Sequence, residues 1–265
     1  MIITGVIVSL LLTTIVFAND FLSSRIAENE FSSNQQFMLA AGLQIDDIAW
    51  TIGRTQTIRF SSKYGNVMFQ SSALSYSLEV NSSSGWETVL PDVTTGMIMF
   101  NMPISEYNLG NNYFDRIYPS LDGSFLQQGP SASVSHVFAV EKLPMPDGNF
   151  TRVAAVSSIR YSDSTIVGPQ QSTSTVYYKF YLPALEQSSE NPQRSQSITM
   201  TGSEITKVIR RDVNQVRITV AFPSGSSGFD SSFFRFDNVQ ETVNLPAGAV
   251  VEFYIGKVIL SFGQV

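Results

Sequence analysis

The chain has no cysteine, which removes disulfides, thiolate catalysis and cysteine-based metal sites together. It has one histidine, His136. That residue alternates in step with Val134, Phe138 and Val140 on an expected strand and carries no partner signature of a catalytic base. Charged residues make up only 14% of the chain, and the net charge is −6. Lysine is scarce and no basic stripe forms, so nucleic acid is not an expected partner. Proline is absent before Pro91, although eleven occur from there on, so the first third is free of helix breakers. No charge of either sign precedes Asp20, and no positive charge precedes Arg25.

That uncharged opening is the strongest feature present. Residues 1–18 read MIITGVIVSLLLTTIVFA. As a helix they span about 27 Å, close to the roughly 30 Å hydrocarbon thickness of a bilayer. Ile2, Ile3, Val6, Ile7, Leu10, Leu11, Leu12, Ile15, Val16 and Phe17 place apolar side chains on every side. The hydroxyls of Thr4, Ser9, Thr13 and Thr14 can bond back to helical carbonyls. Gly5 and Ser9 give a small-xxx-small spacing that admits another helix, a weak signal on its own.

Two processing outcomes are open at this point. A secretory signal opens with a basic region, and a membrane anchor carries a basic cytoplasmic flank; neither precedes Arg25. One reading places a short basic leader ahead of Met1, removed so that Met1 begins the mature chain. The other is a signal peptide cut after Ala18, where Val16-Phe17-Ala18 offers a small-residue cleavage site.

The residues beyond Ala18 favour a continued helix. From Asn19 to Thr51 there is no proline and a single glycine, Gly42. Phe21, Leu22, Ile26, Phe31, Phe37, Met38, Ala41, Ile45, Ile48 and Ile52 recur at three-, four- and seven-residue steps, with a defect expected near Ser32-Ser33-Asn34. Arg25 and Glu28 are placed to pair on an exposed face. The spacing predicts an N-terminal helix over 1–54. Residues 1–18 form its apolar filament-core or membrane segment, and 19–54 an amphipathic stem packed through Phe21, Leu22, Ile26, Phe31, Phe37 and Met38.

From Thr55 the period changes to two. Thr57–Ser61 and Val67–Phe69, joined by Lys63-Tyr64-Gly65-Asn66, read as a hairpin. Leu74, Tyr76, Leu78 and Val80 alternate with polar residues, as do Val176 to Leu182 and Val216 to Phe222. Ala249 to Val265 reads as two strands broken at Gly256. The expected class is α+β: a long N-terminal helix followed by an antiparallel β-sandwich-like head over 55–265. The polar stretch at 186–195 reads equally as a division of that head or as a surface loop.

No catalytic, cofactor or metal site emerges. Asp46-Asp47 are adjacent helix positions about 100° apart, so they suit a polar face better than paired acid chemistry. The acids at Gly228-Phe229-Asp230 and Phe236-Asp237-Asn238 match no calcium loop. Trp86, Tyr113 and Tyr118 are aromatics that an exposed glycan-binding face would use, and that strand packing would use as readily. Two sequons, Asn81-Ser-Ser and Asn149-Phe-Thr, fall in expected turns and are candidate N-glycosylation sites.

The layout as a whole resembles the type IV pilin superfamily, and archaeal-type pilins most closely. It is carried by the uncharged segment MIITGVIVSLLLTTIVFA, the amphipathic continuation and the Ser/Thr-rich β head. Gly5 stands where bacterial pilins place an acidic residue, and archaeal members commonly lack that acid. The resemblance implies an extracellular structural subunit, not an enzyme, with no cofactor. It implies processing by a prepilin peptidase and an assembly machinery, residence in the membrane before assembly, and copies of the chain itself as partners in a helical homopolymer. An adhesive pilus or an archaellum-type motility filament both fit. The reading outside this class is a membrane-anchored or secreted β-sandwich module that binds a glycan or other cell-surface ligand.

Overall fold

The computed structural model describes residues 2–167, 174–188 and 196–263. It opens with α1, a single helix over Ile2–Ala49, about 72 Å long. Thr13 and Thr14 donate to the carbonyls of Ser9 and Leu10, which accommodates hydroxyls within an otherwise apolar helix. The helix runs unbroken through Ser32-Ser33-Asn34, against expectation. Asn34 is buried, but its amide donates to the carbonyls of Glu30 and Ser61, so a residue of poor helix propensity is fixed by a tertiary partner. The helix stops at Ala49 rather than 54. Trp50–Arg54 turns away, and Gly53 N–H donates to the Gly202 carbonyl while Gly202 N–H donates back to Arg54.

Ala27, Phe31, Asn34, Met38, Ala41, Ile45 and Ile48 of α1 are buried at alternating steps of four and three that keep one stripe against the head, flanked by the buried Phe37, Gly42 and Ala49. Burying Phe31, Phe37, Met38, Ile45 and Ile48 is worth on the order of 10 kcal/mol as an upper estimate.

The head holds eleven strands among the described residues: β1 (Thr55–Arg59), β2 (Asn66–Ser82), β3 (Gly85–Pro103), β4 (Tyr113–Tyr118), β5 (Leu126–Gln128), β6 (Ser135–Glu141), β7 (Phe150–Ser157), β8 (Ile159–Val167), β9 (Ser174–Gln187), β10 (Ser197–Ala221) and β11 (Gln240–Gly263). A one-turn helix, α2 (Ser231–Phe234), sits before β11. The strands form one sheet in the order β4-β6-β7-β3-β2-β10-β11-β9-β8-β5, with β1 added to β10. The class is therefore α+β. The sheet is a single mixed one rather than the antiparallel sandwich expected, because β9 runs parallel to β11 and β5 parallel to β8.

Two further expectations are corrected. β1 and β2 are not a hairpin: β1 pairs with residues 197–201 of β10, and β2 pairs with β3 and with residues 213–221 of β10. The intervening loop is turned instead towards α1, with the backbone N–H groups of Tyr64 and Gly65 donating to the Glu30 carboxylate. β11 passes through Gly256 without a break, in register with Ile205 on one side and Pro183 on the other. That glycine serves close approach. A Cβ there would stand 2.5 Å from the Ala49 carbonyl oxygen, and one at Gly202 2.4 Å from that of Ile48, so the helix end rests directly on β10 and β11.

The sheet buries two cores. Phe138, Val140, Ala154, Val156, Met97 and Met99 face one; Val137, Ala139, Val153, Ala155, Ile98 and Phe100 face the other, beneath α1. β6, β7 and the end of β3 are thus covered on both faces. Residues 189–195, most of the stretch read as a division, lie outside the described residues; β9 before it and β10 after it both pair with β11.

Candidate assembly surface

α1 divides where the head ends. From Ala27 onward one stripe of it is buried; before Ala27 the described side chains stand clear of the head. Ile3, Ile7, Leu10, Leu11, Leu12, Ile15, Val16 and Phe17 are all exposed, Phe17 to 71%. The side chains of Ile2 and Val6, named with them from the sequence, lie outside the described residues. The bare portion, Ile2–Ile26, is about 37 Å long. It is rich in Ile, Val and Thr, which are weak helix formers in water. A helix of this composition is stable where lipid or neighbouring helices leave the backbone no competitor for its hydrogen bonds. Among the described residues, α1 is the one helix long and apolar enough to cross a membrane.

The stem residues read from the sequence split into two sets. Phe31, Phe37 and Met38 are buried under the head. Phe31 packs on Tyr107 with ring centroids 5.0 Å apart, and Phe37 on Phe60 at 5.0 Å. Phe21, Leu22 and Ile26 do not join them; Phe21 is 61% exposed, and all three belong to the bare segment. Helical periodicity continues through both sets, so it does not report where the head's edge falls.

Polar contacts lock the docked half in place. Glu30 accepts from Tyr64 N–H, Gly65 N–H and the Ser62 hydroxyl. Ser135 donates to the Gly42 carbonyl at 2.8 Å. Asp46 accepts from the Trp50 indole at 2.7 Å and from Arg160 at 2.8 Å, while Asp47 pairs with Arg54. The two acids thus hold separate partners, and Asp46 is a docking residue rather than part of a solvated polar face. Glu30 left no trace in the sequence, because its partners are two backbone amides and one serine hydroxyl, with no cation among them.

The remaining candidates are spread over the head. His136 is 4% exposed; its Nε2 meets the Ser124 carbonyl at 2.9 Å, and its ring meets Phe236 edge-on. Burial pushes its pKa down to about 4, although the Ser124 carbonyl and Asp122 pull it upward. Asp230 caps α2 and is held by Lys142 at 2.8 Å through both oxygens, and Asp237 lies 3.3 Å from Arg116. No group of three or more His, Asp or Glu is placed to hold a metal ion among the described residues. Trp86 lies under the Arg217 guanidinium, 4.1 Å from its ring centroid, whereas Tyr113 and Tyr118 are half-buried on β4 against the core beneath α1. The three form no common aromatic face. Asn81 is half-buried on β2 rather than in a turn, and its amide donates to Gln215; Asn149 is exposed in the loop before β7.

One polar cleft of about 550 Å³, which no sequence pattern marks, lies among Asp122, Gln128, Tyr161, Tyr178, Glu241 and Asn244. Burial raises the pKa of the Glu241 carboxyl, with its hydrogen bond from Ser124 acting in the opposite direction. The tyrosines come from adjacent strands and the acids from loop and β11, so only the folded sheet assembles them. No protein-family model, curated protein or solved structure matches this chain.

Proposed function

We propose that this protein is a structural subunit of an extracellular helical filament of the archaeal type IV pilus kind, polymerising through the bare half of α1. The observation that carries the reading is the continuity of that helix. One continuous helix is embedded in the head over 27–49 and, ahead of it, bares the apolar side chains of Ile3, Ile7, Leu10, Leu11, Leu12, Ile15, Val16 and Phe17.

Burying the eight described apolar side chains from Ile3 to Phe17 is worth about 12–24 kcal/mol per subunit as an upper estimate. Lipid supplies that shelter before assembly, and a bundle of like helices supplies it afterwards. Head-to-tail contacts between identical subunits generate a helical filament where the repeated rotation does not close into a ring. The heads then form the outer wall, with Asn149 available on the surface for a glycan. Adhesion or surface contact is the role such a wall serves. Electron microscopy of filaments sheared from the cell surface, with the subunit identified by mass, tests the proposal. Helical filaments built of this chain around a core of α1 helices are expected; a chain found only as a monomer overturns it.

The polar cleft beside Tyr161 and Tyr178 favours a second reading, a membrane-held or secreted module binding a cell-surface glycan. Paired aromatic rings with amide and carboxylate groups suit a polyol. Glycan binding lost on Tyr178→Ala, in cells that carry no filament of this chain, would move the conclusion there.

A further inference from the structure

α1 carries six charged side chains, and five of them are satisfied within the chain. Arg25 donates to Glu28 at 2.7 Å. Glu30 is cradled by the loop before β2, Asp46 holds Arg160, and Asp47 holds Arg54. Asp20 alone has no partner among the described residues. Nor does it mark the end of the apolar band, because Phe21, Leu22 and Ile26 continue exposed beyond it. A carboxylate inside a surface that assembly buries is strongly unfavourable unless a cation meets it.

Arg25 is the only cation on the whole helix. On one helix the two cannot meet: five residues apart, they are separated by about 140° around the axis and about 7.5 Å along it. Two parallel helices slid by about 7.5 Å bring Asp20 of one level with Arg25 of the other, whereas unstaggered helices set like charge against like. Arg25 has capacity for a second carboxylate, since a guanidinium carries five N–H donors and the bond to Glu28 engages only Nη1.

We infer that Asp20 pairs with Arg25 of a second copy and thereby sets the axial stagger between neighbouring helices. The inference rests on the filament reading. It is tested in the cell that assembles the full chain, with Asp20→Arg, Arg25→Asp and the double exchange, by quantifying sheared filaments and the membrane-held subunit. Each single change is expected to cut filament yield about 100-fold or more, as leaving a buried charge unpaired does. The double exchange restores filaments, and the membrane pool stays constant throughout.

Single variants that assemble like the unmodified chain overturn the pairing, as does a double exchange no better than either single change. Rescue of Asp20→Arg by Lys63→Asp, in the loop cradling Glu30, instead of by Arg25→Asp also overturns it. An unmodified chain that makes no filament overturns the filament reading itself. Unmodified filaments with no rescue leave that reading standing and remove only the pairing.

Discussion

Asp46 on α1 and Arg160 on β8 are 114 residues apart in sequence and meet at 2.8 Å. The same guanidinium lies 5.0 Å from the centroid of the Tyr181 ring, and the Trp50 indole packs edge-on against that ring. The end of the stem is therefore bolted to the sheet by one charge pair with an aromatic collar. Asp46→Ala leaves the nearly buried Arg160 without its counter-ion and the Trp50 N–H without its acceptor. The head is expected to lose about 1–3 kcal/mol, read by urea denaturation of the full chain in detergent. An unchanged midpoint would show that the pair contributes nothing.

Gly202 and Gly256 form the seat beside that bolt. Their substitution by alanine drives a methyl group into helix-end carbonyls at 2.4 and 2.5 Å. Neither neighbour is a flexible side-chain tip that can swing away. Gly202→Ala or Gly256→Ala is expected to destabilise the head by about 1–3 kcal/mol. Gly5→Ala, with nothing within 4 Å, should leave the thermal melt of the head unmoved. Equal melting of all three variants would contradict the close approach.

These two sites show how much of the fold is legible in the sequence. Phe31, Met38, Ala41, Ile45 and Ile48 announce a helix because their spacing is set by the helix itself. A period of two reveals which residues share a face, but strand direction and partner leave no mark on it. The parallel placement of β9 beside β11, and the union of β1 with β10 rather than β2, are accordingly invisible there. Gly256 reads as a break because the helix end it admits lies two hundred residues earlier in the chain. The apolar run to Phe17 stands out at once; that Phe21, Leu22 and Ile26 belong to it depends on where the head stops.

His136 is the one imidazole that gives the head a pH dependence, since the chain has no other histidine. Unfolded, it takes a proton near its ordinary value of 6.5; folded, burial holds protonation off until about 4. Between those values the unfolded state binds more protons, so stability falls as the pH drops through the window and is full above it. The loss approaches about 3 kcal/mol at the lower end. Burial pushes the Asp230 carboxyl up, but its bonds from Lys142 and Ser232 outweigh that and bring it down to about 2. Its contribution is therefore present above about 3.8 and is lost only as the pH falls towards 2. His136→Gln should flatten the slope between pH 6.5 and 4 and leave the lower window intact. A slope that survives the substitution would assign it to other groups.

The bare segment and the head can be separated by one substitution. Leu11 is exposed near the middle of that segment, sixteen residues before Ala27, where the buried stripe begins. Leu11→Asp places a charge in the centre of the surface that the proposed filament would bury, where no cation of this helix lies within two turns. The cost of desolvating an unpaired carboxylate is several kcal/mol in each subunit, repeated at every position along a filament. Filaments are expected to vanish from the cell surface. The stripe from Ala27 to Ile48 and its polar locks at Glu30 and Asp46 are untouched, so the head should keep its near-ultraviolet circular dichroism and its denaturation midpoint. Normal filaments carrying Leu11→Asp would mean that this helix is not the polymer's core, and a head unfolded by the change would mean that the two halves of α1 are not independent.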